Sequence, residues 1–305
     1  MAEALALGAP ATNSRCTTCH APFHNLLSAQ RAPGVDHRAG VSCESCHGPG
    51  EAWLRSHTRP DFSHADRTAA GMRDLENLYV RANTCVACHQ HLDADLLQVG
   101  HPELIFELDG QAVTQPKHWR EAHPWHGAQA WLVGQAVALR EISWQLEKQT
   151  APDEHGAARW HALVWLLKHA GGGADFPSLA DIDLNLTPEN LSNTRQLGDR
   201  LAQRVADATW SGELTEKCLT KLAAAAEDFT DTTVSRIIHA RRAERLVLGL
   251  DRLLAGLNGS KTNPAVEADL NELFKAVQSL PDFRPADFAQ QLTRFRKQLR
   301  ATKAN

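Results

Sequence analysis

Gly40-Val41-Ser42-Cys43-Glu44-Ser45-Cys46-His47-Gly48-Pro49-Gly50 sets two cysteines three residues apart, with a histidine directly after the second and a Gly-Pro-Gly turn behind it. The same spacing occurs upstream in Cys16-Thr17-Thr18-Cys19-His20 and downstream in Cys85-Val86-Ala87-Cys88-His89. Six of the chain's seven cysteines fall in these three patterns. A structural zinc site uses such cysteine pairs jointly and leaves the trailing histidine unexplained. A redox dithiol occurs once, beside a strand and a helix. Covalent haem attachment needs every part of the pattern: two thiols add across the vinyl groups and the adjacent imidazole takes the iron. The expectation is three covalently bound haem c groups, on Cys16 and Cys19, Cys43 and Cys46, and Cys85 and Cys88, with His20, His47 and His89 as proximal ligands.

Histidine is in excess: the chain has 16, and ten of them lie between residues 37 and 126. Imidazole is the usual sixth ligand of an electron-transfer haem. His101, between Gly100 and Pro102, ranks first as a distal ligand. His118, in Pro116-Lys117-His118-Trp119, and His57 follow. Trp53, Trp119 and Trp125 are candidates for packing against haem or for ordinary core. The seventh cysteine, Cys218, lies in a helical pattern with no partner motif and reads as a buried free thiol.

Outward from these motifs the chain changes character near residue 127. Before it, Gly, Pro, His and short polar stretches build no apolar period, so three large flat haems would have to supply the core. Short helices are expected around each attachment site and at 75–83, with the Gly-Pro-Gly turn stopping the second. After it, the 3.6-residue period predicts helices over 127–149, 157–169, 187–209, 212–228, 232–257, 263–280 and 285–303, with Thr187-Pro188 and Asn263-Pro264 as start signals. No strand alternation appears. The fold class is all-α: a loop-rich multihaem cytochrome c domain over 1–126, then an antiparallel helical bundle over 127–305. The basic run 236–245 reads as a solvated helix face able to dock an acidic partner.

A net charge of −4 gives no basic footprint for nucleic acid. No apolar run approaches the roughly 18 residues of a membrane span. Residues 1–15 show no secretory signal, yet haem is normally attached after export, so a periplasmic protein is expected.

The stretch from Gly40 to Gly50, continuing through Glu51-Ala52-Trp53-Leu54-Arg55-Ser56-His57, resembles the multihaem cytochrome c-554 family. The runs 100–108 and 116–119, and the helix around 131–140, are similar to larger relatives of that family. The resemblance covers roughly residues 14–147. It implies an electron carrier working between redox partner proteins, as the tetrahaem members take electrons from hydroxylamine oxidoreductase. Those members have a further attachment site upstream of the one matching Cys16, and their histidine matching His57 serves that haem. The resemblance also implies an open, five-coordinate iron at the haem on Cys16 and Cys19, with Phe23, Leu26 and Leu27 lining its distal side. This supports an alternative function: a haem enzyme or sensor binding a small nitrogen or oxygen ligand such as nitric oxide, hydroxylamine or peroxide. Of the two, the carrier is the leading expectation.

Overall fold

The computed structural model describes residues 3–23, 40–90, 92–115, 126–149, 154–171, 176–258, 263–278 and 280–303. These residues form helices and no strands, so the protein is all-α. The chain divides into two compact units, Met1–Ile105 and Phe106–Asn305.

In the first unit the helices are short: α1 (Ser14–His20), α2 (Cys43–His47), α3 (His64–Ala69), α4 (Leu78–His89) and α5 (Ala94–Gln98). Each attachment motif is helical, and its helix stops at the motif's histidine. The helix expected over 75–83 begins at Leu78, where Asn77 caps the free N–H groups of Tyr79 and Val80, and then runs on through the third motif. Among the described residues of this unit only Ala21, Trp53, Ala82, Val86 and Leu96 are buried apolar side chains.

The second unit holds α6 (Leu108–Thr114), α7 (Gly127–Lys148), α8 (Glu154–Ala170), α9 (Pro188–Ala206), α10 (Gly212–Ala223), α11 (Arg236–Asn258), α12 (Pro264–Ala276) and α13 (Pro285–Lys303). α7 runs through its middle, buried without interruption from Gly127 to Leu139. Such a helix must satisfy its polar side chains internally. Gln129 Nε2 accordingly donates to the carbonyls of Val205 and Ala208 at the end of α9, at 2.8 and 2.9 Å. Arg140 then meets Asp199 at 2.8 Å and Glu147 meets Arg195 at 3.3 Å. As α7 is followed forward, its partners run backward along α9, so the two are antiparallel. α11 is antiparallel to α7 by the same argument, since Ala128 faces Gly256, Trp131 faces Gly249 and Gln135 bonds Arg245.

One expectation is corrected here. The run 236–245 is not a solvated face: Arg241, Arg242 and Arg245 are 6, 8 and 3% exposed. Arg245 donates to Phe106 O and Gln135 Oε1 at 2.9 and 3.1 Å, and Arg242 lies over the Trp165 ring at 5.6 Å. A guanidinium with fixed acceptors and an aromatic face can be buried where an isolated charge cannot. By contacts, the second compact unit begins at Phe106. Phe106 and Leu108 are fully buried, and Gly134 on α7 lies against the Leu108 backbone and Cβ, which binds α6 to the bundle.

Candidate haem-attachment site

Helical spacing is what makes the motif work. Cysteines at i and i+3 and a histidine at i+4 share one helix face, so both thiols and the imidazole address the same ligand. Asn13 caps α1 through Arg15 N and anchors itself to Leu7 O. Ser42 and Ser45 form a capping box on α2. The other end of α2 is held by residues that motif spacing does not reveal. Glu44 Oε1 accepts from Gly50 N at 2.6 Å, which folds the Gly-Pro-Gly turn back onto the helix. A Cβ on Gly50 would sit 3.0 Å from that oxygen, so glycine is the residue that lets the turn close. Arg73 donates from Nη1 to Cys46 O at 2.7 Å and from its backbone N–H to His47 O at 2.8 Å, satisfying carbonyls the short helix cannot.

The three motifs converge. The first and third meet directly, with Cys19 Sγ 3.9 Å from Cys88 O. The Cys19 thiol, then burial, holds the Cys88 thiol far above its ordinary range, and Cys46 adds to this. Burial, with Cys46 close enough to contribute, pushes the Cys85 thiol up to about 11. All three attachment sites therefore lie in one neighbourhood.

Of the candidate distal ligands, His57 and His101 lie among the described residues, while His118 lies outside them, as do Trp119, Trp125, Leu26 and Leu27. His57 follows the turn after α2, with Nδ1 2.8 Å from Leu54 O; His101 follows α5, with Nδ1 2.8 Å from Pro102 O. A carbonyl only accepts, so in each ring Nδ1 is the donor and Nε2 is not engaged by that bond. Iron-ligating histidines are held in this way. Trp53 is core, 1% exposed, with ring centroids 6.1 Å from His47 and 5.4 Å from His57, both edge-on. His20 and His101 face each other with centroids 6.4 Å apart and ring planes at 52°.

These surroundings fit a haem. Trp53 Nε1 and both ends of the Gln90 amide are buried with no hydrogen-bond partner among the described residues, and Gln90 directly follows His89. An orphaned buried donor costs about 1–3 kcal/mol, and haem carboxylates are the acceptors that such donors take. Val41 and Leu54, 63 and 58% exposed, are apolar side chains flanking the second motif that a haem face would cover. Cys218, in the other unit, is the buried thiol expected: burial raises it to about 11, and it donates to Ala170 O at 3.4 Å.

Among the described residues no helix is long and apolar enough to cross a membrane. Searches of curated proteins and of solved structures return no match. A family model described as cytochrome c554 and c-prime matches residues 2–48, so the segment holding the first two attachment motifs is similar to c-type cytochromes of that description.

Proposed function

We propose that this protein is a periplasmic three-haem c-type cytochrome that passes electrons between redox partner proteins. The observation that carries the reading is three complete Cys-x-x-Cys-His helices, the first and third meeting where Cys19 Sγ lies 3.9 Å from Cys88 O. Haem iron, once bound, supplies the one-electron couple; the protein sets its potential through axial ligands, burial and hydrogen bonding. The chain's residues do the rest. Six cysteines fix the haem edges, and the α1 and α4 motifs bring two of those edges together. Tethered imidazoles at His57 and His101 offer Nε2 to iron, and Trp53 keeps water from the His47 side. Haems held on Cys19 and Cys88 would be attached through neighbouring residues, an arrangement suited to passing an electron from one to the next. A periplasmic location follows from where covalent attachment normally takes place.

Mass spectrometry of the acid-denatured protein, matured with intact attachment machinery, tests the reading directly. Three haem additions are expected, with Cys16→Ala, Cys43→Ala and Cys85→Ala each weakening or abolishing attachment at its own site. Two additions or fewer on the unaltered chain would overturn it.

A further inference from the structure

We infer that His20 and His101 are the two axial ligands of a single iron, so that the haem on Cys16 and Cys19 is closed on both faces. The inference rests on the three-haem reading and reverses the open distal face that the family resemblance implies for this site.

The distance is the first argument. An iron–imidazole bond is about 2 Å and the ring centre lies roughly 1.1 Å beyond the bonded nitrogen, so imidazoles on opposite faces of one haem have centroids about 6.3 Å apart. His20 and His101 are at 6.4 Å. Axial ligation leaves the twist between two trans imidazoles free, so the 52° between the ring planes is compatible with it.

The second argument is how His101 arrives there. α5 ends in a glycine turn: Gly100, at φ +97°, donates to Leu97 O, and His101 N donates to Leu96 O, both at 3.0 Å. This paired closure needs a left-handed residue at Gly100 and sends the next residue off the helix axis. Pro102 cannot continue a helix, and its carbonyl takes the Nδ1 proton of His101 at 2.8 Å. The Gly-His-Pro sequence is thus a device for presenting Nε2 in one fixed direction.

The third argument is the tie between the elements carrying the two rings. Arg15, on α1 five residues before His20, forks onto Asp95 at 2.5 and 3.0 Å and onto Asp93 at 2.8 Å, at the start of α5. That fork holds Asp95 below the usual carboxylate range, and it fixes α1 against the helix that delivers His101. His47 and His57 instead lie beside Trp53, with ring centroids 6.1 and 5.4 Å from it.

The test uses the full chain carrying its haems, read by electron paramagnetic resonance of the oxidised form and by carbon monoxide added to the reduced form. In His101→Ala, about one-third of the haem should turn high-spin and bind carbon monoxide, with the covalent haem count unchanged. His101→Met guards against a folding defect: it should keep that haem low-spin and raise the potential of one haem of the three. In a Cys16→Ala/Cys19→Ala background, adding His101→Ala should change no remaining spin state. Haem present on Cys16 and Cys19 with spin states unmoved by His101→Ala, or a spin change that persists in the double-cysteine background, overturns the pairing and leaves the three-haem reading standing. Absence of haem from Cys16 and Cys19 by mass overturns both.

Discussion

The two units solve the problem of a core in opposite ways. In Phe106–Asn305 the chain supplies its own: Trp131, Trp160, Leu132, Leu139 and Ile142 are all at most 1% exposed, and Phe229, Phe283 and Phe288 cluster with centroids 4.7 and 5.5 Å apart. In Met1–Ile105 the described residues bury only five apolar side chains, two of them alanines, while Val41 and Leu54 stand exposed. Local order there comes instead from caps and tethers: Asn13, Ser42, Asn77, Glu44, Arg73 and the Arg15 fork. Such interactions position helix ends but bury little, and burial is the dominant favourable contribution to folding. One unit carries its own apolar core, and the other, among the described residues, is ordered mainly at its helix ends.

The sharpest way to break that comparison is to withhold haem. A chain made without haem attachment should keep the bundle and lose the first unit to proteolysis, leaving a protected fragment that begins near Phe106. A fragment spanning 106–305 should be colourless and helical and should unfold cooperatively in urea. A fragment spanning 1–105 without haem should show no cooperative transition. If the haem-free first unit resisted protease as well as the second, the contrast would fail.

A smaller effect probes the bundle from within. Trp160 is fully buried and its Nε1 donates to Ser143 Oγ on α7 at 3.1 Å. Trp160→Ala removes a large side chain and leaves the Ser143 hydroxyl without that donor, so the second unit should lose about 3–5 kcal/mol. The haem spectrum and covalent haem count should be those of the unaltered chain. A shift in haem spin state in this variant would mean that the units are not independent.

The sequence yields the two units to different degrees for the same reason. Over a long bundle helix, apolar periodicity accumulates, and start signals such as Thr187-Pro188 and Asn263-Pro264 act locally. Both caps form, with Thr187 Oγ1 accepting from Asn190 N and Asn263 Oδ1 from Ala265 N. What fails in the bundle is the run 236–245, because a row of arginines looks the same whether it faces water or buried partners such as Phe106 O, Gln135 Oε1 and the Trp165 ring. α3, α5 and α6 are five to seven residues long, too short for a period to emerge. The attachment motifs are legible because their chemistry is complete within five residues. The partner of His20 is not, since His101 comes from a different helix end and only the fold sets their separation. Gly100 and Pro102 disclose that His101 is held rigidly, but not which iron it would meet.

The smallest expected effect lies on the bundle and depends on pH. His169 Nε2 pairs with Asp228 Oδ2 at 3.0 Å, while its Nδ1 donates to Trp165 O at 2.9 Å and Trp165 Nε1 donates to Asp228 at 2.6 Å. Burial pulls the His169 imidazole down, but the Asp228 carboxylate outweighs it, and the net shift is upward. Asp228 is held below the usual carboxylate range, chiefly by His169. A raised imidazole stabilises the fold fully below its unfolded value of about 6.5 and loses that contribution as pH rises through the folded value. A lowered carboxylate contributes above about 3.9 and loses it as pH falls toward its folded value. The pair should therefore help most between about pH 4 and 6.5 and fade above that. His161 and His239 act oppositely: burial lowers both, so they penalise the fold as pH drops below about 6.5. The pair must be isolated by difference, comparing urea unfolding of the unaltered chain and His169→Gln by helical circular dichroism. Because Asp228 is more than a third exposed, solvent screening should hold the difference below about 1 kcal/mol. It should be largest near pH 5.5 and smaller at pH 8, where the imidazole has begun to lose its proton. A difference that instead grew from pH 5.5 to 8 would mean that His169 serves the bundle as a neutral ring.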